Sequence, residues 1–331
     1  MKADVVDLLV GMGLARRLEG DEQRARAYLR AANEIARTDE ATFEMRVQAG
    51  DLRAIRGVGP SIERTIRGFL ERGRRPERLP SSPEVVSALS QGIAPSLLWQ
   101  EAPLAGAPDL HCHTNWSDGV MTLDELAAYA KRLGQKAIGV SDHSGSLAIA
   151  RGLAPHEVRA QWAEIDRVQS AHPELRILKG TECDILADGT LDHPSEILRG
   201  FDYVIGSLHS KLRDPEPVQT ERVLTALAQS HLTILGHPTT RVPGRRPPAN
   251  LDLDEVFAEA ARRGIALEVN GNPGRMDLEP RLAAQALSAG ARLSLGSDAH
   301  YPSELYALAT ARGLAGEAGA RPRDIRNFDF V

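Results

Sequence analysis

Hydrophobic residues in the first part of the chain recur at helical spacing. Val5, Leu8 and Leu9 begin an apolar stripe of this kind, and the segment 25–36 continues it. No strand-like alternation of apolar and polar residues interrupts either segment. The pattern therefore predicts an all-helical domain over residues 1–72.

The pattern changes twice further along the chain. Residues 73–107 are rich in Pro, Ser and Gly, which favours a linker. From residue 108 onward, short apolar runs are separated by helical stretches such as 123–133 and 155–171. The seven candidate strands are DLHCHT, AIGVSDHS, RILKGTECDI, YVIGSLHS, LTILGHP, IALEVNGN and RLSLGSDAH.

The seven strands predict the architecture of the larger region. Alternation of strands and helices is typical of a parallel sheet, and seven such units favour a closed barrel over an open sheet. We therefore expect an α/β fold in which residues 108–331 form a (β/α)7 barrel. Six of the seven strands end in His, Asp or Glu. Because the carboxyl ends of the strands form the mouth where such barrels carry out chemistry, these side chains should meet there.

Composition and the N-terminal sequence exclude three classes of protein. The chain has 331 residues, 42% of them hydrophobic and 26% charged, which fits two globular domains. No apolar run approaches the ~20 residues of a membrane span, and Asp4 and Asp7 interrupt the apolar core that a signal peptide needs. Two cysteines exclude a disulfide scaffold and fit a reducing cytosol. We expect a soluble, cytoplasmic protein that does not contact membranes.

The formal net charge of −5 is unevenly distributed. Residues 1–80 hold 16 Lys or Arg against 13 Asp or Glu, whereas residues 81–331 hold 24 against 32. A slightly basic helical domain beside an acidic barrel is compatible with a nucleic-acid tether on a metal-binding catalytic body. An ordinary solvated helical surface would give the same small excess, so charge alone does not decide between the two.

Metal-ligating residue types gather at the predicted strand ends. Side chains alternate along a strand, so His111 and His113 point to one side and Cys112 to the other. One such His is more often structural, but nine unpaired groups at one mouth would cost several kcal/mol, which divalent cations would cancel. Imidazole with carboxylate suits Mn, Fe or Zn. The nine candidate ligands are His111, His113, Asp118, His143, Glu182, His209, His237, Asp298 and His300.

The motifs that carry these residues resemble those of the polymerase-and-histidinol-phosphatase (PHP) phosphoesterases. The resemblance covers about residues 108–305, with every motif in order and no ligand position substituted. It implies a distorted seven-stranded barrel that binds three divalent metal ions. By the family pattern, the first metal would be held by His111, His113, Glu182 and Asp298, the second by Glu182, His209 and His237, and the third by Asp118, His143 and His300.

Such a trinuclear site implies that a metal-activated water hydrolyses a phosphate ester. Two metals about 3.5–4 Å apart can share a water and aim it in line at phosphorus, while the third neutralises charge on the phosphate and the leaving group. Besides Glu182 and Asp298, we expect Arg241 and Arg275 to be catalytic by holding the phosphate, with Lys211 next. Each of these cations could equally be an ordinary surface residue.

The segment LRAIRGVGPSIERTI, residues 52–66, fits a helix-hairpin-helix. Its two glycines allow a tight turn, Ile62 and Ile66 face inward, and main-chain N–H groups at the following helix can meet a DNA phosphate. Such contacts do not read sequence. The alternative is a simple turn between helices used for packing. The residues predicted to contact DNA are Arg56, Gly57, Val58, Gly59, Arg64 and Arg67.

Residues 1–72 as a whole resemble the N-terminal helical domain of family X DNA polymerases, whose bacterial members also carry a PHP domain. Here the linker stands where the polymerase core would be, so no polymerase activity is expected. The lyase chemistry of some relatives needs a Schiff-base lysine, and there is no lysine between Lys2 and Lys131. Lyase activity by that route is therefore not expected either.

Together these features predict a metal-dependent phosphoesterase that acts on DNA ends in repair, as a 3′→5′ exonuclease or 3′-end phosphodiesterase. The main alternative is a phosphomonoesterase of a small metabolite, similar to histidinol phosphatase, whose helical domain is a remnant or an oligomerisation surface. A DNA-binding module with a merely structural barrel is a third possibility, and the complete set of nine ligands argues against it.

Overall fold

A computed structural model describes residues 1–18, 21–72, 104 and 106–331. The predicted linker, residues 73–107, lies outside this part of the chain apart from residues 104, 106 and 107, so the limits of the two domains stay predictions. Within the described ranges, no helix combines the length and the apolar character that crossing a bilayer requires.

The N-terminal region consists of helices, as predicted. Asp39 begins the third helix by accepting a hydrogen bond from the main-chain nitrogen of Thr42 (2.8 Å), and Gly50 ends it with φ at 71°. Val5, Leu9 and their helical neighbours are buried between the helices. The four helices are α1 (Lys2–Leu18), α2 (Glu22–Arg37), α3 (Glu40–Ala49) and α4 (Pro60–Arg72).

The C-terminal region is an α/β fold built on one parallel sheet, in which every strand pairs with the next along the chain. Its strands are β1 (Ala137–Val140), β2 (Arg176–Asp184), β3 (Tyr203–Ser207), β4 (Ile234–Leu235), β5 (Ala266–Asn270) and β6 (Leu293–Gly296). Its helices are α5 (Leu123–Arg132), α6 (Pro155–Ala171), α7 (Ser195–Leu198), α8 (Glu216–Leu227), α9 (Leu253–Arg263), α10 (Pro280–Ser288) and α11 (Ala307–Glu317).

The expectation of seven regular strands is not met, because the segment 109–113 forms only isolated bridges in the described structure. This segment still joins the two edge strands: its Asp109 bridges to Ile138 of β1, and its Cys112 bridges to Ala299 just after β6. Its main-chain ladder is interrupted because the N–H of Cys112 donates to the hydroxyl of Ser141 (2.9 Å). The barrel therefore closes at this point through a seam, residues 109–113, that side chains help to hold.

The helical region packs directly against the barrel. Nζ of Lys2, at the start of α1, lies 2.9 Å from Oε1 of Glu125 on α5. Asn33 of α2 and Ser303, in the turn after β6, approach to 2.5 Å through their side-chain oxygens. Buried apolar side chains from both regions form one continuous cluster. The helices thus rest beside the loop that follows β6.

Candidate metal centre

The structure brings together the nine side chains that the sequence analysis selected. Each of them has a nitrogen or oxygen within 4.0 Å of another member. All lie at or just beyond the carboxyl ends of the strands or of the seam. The predicted mouth is therefore present, and the geometry divides the nine residues into overlapping groups.

The first group is fully buried. Nε2 of His111 and Nε2 of His113 lie 3.3 and 3.5 Å from Oε2 of Glu182. Oδ1 of Asp298 lies 3.2 Å from Nε2 of His113 and 3.7 Å from Nε2 of His111. Cys112 between the two histidines is buried outside the group, as strand alternation predicts. These four residues are close enough together to hold one metal ion.

A second group surrounds the same carboxylate from the other side. Oε1 of Glu182 lies 2.8 Å from Nε2 of His237 and 3.3 Å from Nε2 of His209. Nδ1 of His143 also lies 3.0 Å from Oε2 of Glu182, so this imidazole stands between two groups rather than in the third alone. A carboxylate shared in this way can bridge two cations.

The third group is the most open. Oδ1 of Asp118 lies 3.3 Å from Nε2 of His300 and 3.6 Å from Nε2 of His143. The Asp118 side chain is 34% exposed and that of His300 is 26% exposed, whereas the ligand candidates of the first group are buried. His113 completes the group, with Nδ1 4.0 Å from Asp118. This side of the site is therefore open to solvent.

The carboxylates and imidazoles at this mouth shift one another's pKa values. Burial opposes the ionisation of Glu182 and Asp298, but the imidazoles around them hold the pKa of both carboxyl groups well below the usual range. Burial, reinforced by the neighbouring imidazoles of His300 and His143, lowers the pKa of His113 to about 3. Ionised carboxylates and neutral imidazoles are the forms in which these side chains ligate metals.

Three other imidazoles at this mouth hold protons when no metal is bound. Although burial opposes their protonation, the neighbouring carboxylates raise the pKa of His111 well above its usual range, that of His209 to about 9 and that of His300 to about 10. Metal ions that bind there would therefore displace protons.

Buried imidazole nitrogens without hydrogen-bond partners indicate whether metal ions fit this site. Buried imidazole nitrogens at this mouth have no hydrogen-bond partner in the described structure: Nε2 of His111, both nitrogens of His113, Nδ1 of His143, Nε2 of His209 and Nδ1 of His237. Leaving such groups unpaired costs free energy, because buried polar atoms normally have partners. Divalent cations would supply partners for these nitrogens except Nδ1 of His237, whose other nitrogen, Nε2, is the one that contacts Glu182. The residues therefore fit a metal centre.

The predicted phosphate-binding cations differ in their surroundings. Nε of Arg275 lies 3.4 Å from Oδ2 of Asp298, at the metal centre. Arg241 is held by Glu279 (2.5 Å) and by main-chain carbonyl groups. Lys211 is exposed. Arg275 is therefore the best placed of the three to reach a bound phosphate, and the roles of all three stay predictions.

The hairpin has the expected local geometry. Gly57 has a φ of 83°, which a residue with a side chain adopts only with strain, and a side chain at Gly59 would meet nothing within 4 Å. Arg56 and Arg64 are exposed. Arg67 instead donates to the carbonyl oxygen of Gly50 (2.5 Å) and pairs with a glutamate on its own helix, which gives it a structural role.

Two family models match the chain in the regions just described. The model of the PHP domain matches residues 109–272, and that of a helix-hairpin-helix domain matches residues 1–75.

The chain belongs to the PHP family.

Relatives of this PHP protein fall into two kinds. This chain is 37% identical over 219 residues to the DNA polymerase/3′-5′ exonuclease PolX of Bacillus subtilis. The match covers 66% of this chain but only 38% of PolX. This chain is also 30% identical over 203 residues to a probable phosphatase of Caldanaerobacter subterraneus. That match covers 58% of this chain and 75% of the relative.

A solved structure shares the fold. Histidinol phosphate phosphatase of Lactococcus lactis, in complex with zinc, L-histidinol and phosphate, superposes with a TM-score of 0.50 at 20% identity, over 65% of this chain and 94% of that chain. PHP phosphoesterases are metal-dependent hydrolases, and the cluster of histidines and carboxylates fits that chemistry.

Two carboxylates behind the ligand candidates of this PHP protein are not among the residues predicted from the sequence. Oε1 of Glu268 on β5 lies 2.6 Å from Nδ1 of His111, and Oδ1 of Asp184 lies 2.5 Å from Nδ1 of His209. A carboxylate at one ring nitrogen directs the other nitrogen toward a metal and fixes its tautomer. Asp184 could have been found, because it stands two residues after Glu182 and so shares its side of the strand.

Proposed function

We propose that this PHP phosphoesterase hydrolyses phosphodiester bonds at DNA ends, as a 3′→5′ exonuclease or 3′-end phosphodiesterase in DNA repair. One observation carries the proposal: a helix-hairpin-helix region is packed against the barrel beside His300, at the open side of the metal centre. Helix-hairpin-helix contacts to DNA would be made to phosphates without reading sequence. The two free, buried cysteines fit the reducing cytoplasm in which we place this activity.

The nine ligand candidates would hold three divalent cations, Mn, Zn or Fe. The first group has the composition that the family pattern implies, and Glu182 would be shared between the first two ions. The other two groups differ from that pattern, because His143 also lies beside Glu182 and His113 also lies beside Asp118. When bound, such ions supply a water of lowered pKa and stabilise negative charge on phosphate. Their number and identity belong to the proposal.

Other residues of the chain would orient substrate and ligands. Arg275, beside Asp298, would donate to a non-bridging phosphate oxygen. Glu268 and Asp184 would keep His111 and His209 in the tautomer that directs Nε2 into the site. Neither cysteine would act as a nucleophile, since burial raises the pKa of the Cys112 and Cys183 thiols.

A phosphomonoesterase of a small metabolite is the second candidate. It is favoured by the relatives named as probable phosphatases, most of whose length this chain covers. On that hypothesis the hairpin would be a remnant, and DNA would be neither bound nor cleaved. No polymerase or Schiff-base lyase activity is expected under either hypothesis.

A gel assay distinguishes hydrolysis at DNA ends from hydrolysis of a small phosphate ester. A 5′-labelled primer annealed to a longer template is incubated with the protein and Mn²⁺, beside a His143→Ala, Asp298→Ala double variant. The DNA proposal expects a ladder of shortened primers that the double variant does not produce. An intact primer, together with hydrolysis of histidinol phosphate by the same preparation, would favour the metabolite phosphatase instead.

A further inference from the structure

Helix α2 connects the hairpin with the mouth of the barrel. A side chain placed on Gly57 of the hairpin would come within 3.6 Å of the main chain of Ala31, so the hairpin lies against the middle of α2. Two residues further along the helix, Asn33 contacts Ser303 in the turn that follows His300. One helix therefore touches both the predicted DNA-binding turn and the loop of a metal-ligand candidate.

The side chains on this face of α2 include two arginines. Arg30, Asn33 and Arg37 follow the i, i+3, i+7 spacing that places residues on one side of a helix. The Arg37 guanidinium lies 5.4 Å from the centre of the Tyr301 ring, next to His300. Arg30 and Arg37 are separated by about 10 Å along the helix axis, a length that spans about three phosphates at the axial spacing of one DNA strand.

The charges on this face can be reached from solvent. Arg37 is 52% exposed, and its nearest acidic neighbour, Glu34, is 3.8 Å away. Arg30 is exposed and forms no ion pair with any side chain in the described part of the chain. A guanidinium without a carboxylate partner can donate to a phosphate at no cost in existing ion pairs.

We propose that this face of α2, which we call the α2 track and define by Arg30, Asn33 and Arg37, binds the phosphates of a DNA strand between the hairpin and the metal centre. The inference rests on the proposed function. The track would bind sequence-independently, through Arg30 near the hairpin and Arg37 at the mouth. It would direct the strand end toward the open third group of ligands.

Charge reversal at Arg30 tests the track against a matched control. Arg30→Glu is compared with Arg24→Glu, which makes the same change on the same helix but about 120° away around its axis. Arg24 is 68% exposed and pairs with Asp21 (3.3 Å). Each variant is assayed with the labelled primer–template and with bis(p-nitrophenyl) phosphate, a diester too small to reach the track, after its circular dichroism and melting temperature have been measured.

The track predicts a selective effect on DNA. Arg30→Glu should raise the KM for DNA about tenfold, Arg30→Lys should stay within threefold of wild type, and Arg24→Glu should change little. The slope of log affinity against log salt should fall by about 0.7 for the lost phosphate contact. Turnover of the small diester by Arg30→Glu should equal that of the Arg24→Glu control.

Two results would overturn the inference, and they can be told apart. If wild type degrades DNA but Arg30→Glu and Arg24→Glu behave alike, the track is wrong while the proposed function stands. If wild type hydrolyses the small ester but neither binds nor cleaves DNA, the proposed function fails and the track fails with it. An Arg30→Gln variant gives the same comparison should the charge reversal impair folding.

Discussion

The metal centre and the hairpin differ in how their side chains would interact with phosphate. At the metal centre, Glu182 is buried and shared by several imidazoles, so that each ligand candidate depends on its neighbours. At the hairpin, Arg56 and Arg64 are exposed, and the glycines contribute only main-chain conformation. Chemistry requires groups fixed in advance, whereas sequence-independent binding needs only accessible positive charge. Perturbing the two regions should therefore have effects of different kind and size.

Removal of divalent cations should separate the two regions most completely. EDTA is expected to abolish ester hydrolysis and to leave DNA binding at the hairpin, measured by fluorescence anisotropy, within twofold. The melting temperature should fall by about 5–10 °C for each ion that was bound at a hundredfold excess over its Kd, since unpaired imidazoles then remain buried. DNA binding that disappears with the metal would contradict this separation.

Glu182→Gln should have the next largest effect, a loss of at least about a thousandfold in kcat for bis(p-nitrophenyl) phosphate. The amide keeps the shape of the side chain but removes the charge that the first and second groups share. Metal content measured by mass spectrometry should drop at the same time. The control is Glu196→Gln, an exposed position (76%) paired with Arg159, and equal activities of the two variants would refute the role given to Glu182.

Glu268→Gln should cost less, about 10- to 100-fold in metal affinity or activity, because the side chain orients His111 without reaching substrate. A positioning role predicts that excess Mn²⁺ restores most of the lost rate. The measurement is a titration of activity with Mn²⁺ at fixed substrate. A reduced rate that no Mn²⁺ concentration improves would mean that Glu268 acts otherwise.

Arg56→Glu should have the smallest effect and should leave hydrolysis of the small diester unchanged. We expect about a tenfold weaker Kd for primer–template DNA and a shallower dependence on salt. Arg323→Glu is the matched control, because Arg323 is 75% exposed and lies far from the mouth. Its neighbour Ile325 bridges to the first residue of β6, at the end of the strand opposite the metal centre. If both variants lose affinity equally, general charge and not the hairpin binds the DNA.

Much of this molecule could be predicted because local patterns determine it. The ligand candidates follow short apolar runs, and six of the seven runs form strands in the order expected. The seam could not be predicted, since its irregular hydrogen bonds depend on Ser141 and Ser297, which are distant in the sequence. The contact of Lys2 with Glu125 is likewise invisible until the chain has folded.

Glu268 could be predicted only in part. An acidic residue within an apolar strand signals a partner, but the sequence does not say which one. Only the register of β5 against β6 and the seam brings its carboxylate to His111. Arginine positions on α2 could be read from the sequence, whereas the surfaces that the helix touches could not.

The seam also bears on how the protein folds. The carboxylate of Asp109 accepts hydrogen bonds from the main-chain nitrogens of His111 (3.1 Å) and Ser297 (3.0 Å), and the second of these joins residues 188 positions apart. Contacts across so long a loop form slowly, because chain entropy must be lost before they contribute any stability. His111 and Asp298 meet only when the seam closes, so we expect the completed first group, and metal capture by it, to mark the last step of folding.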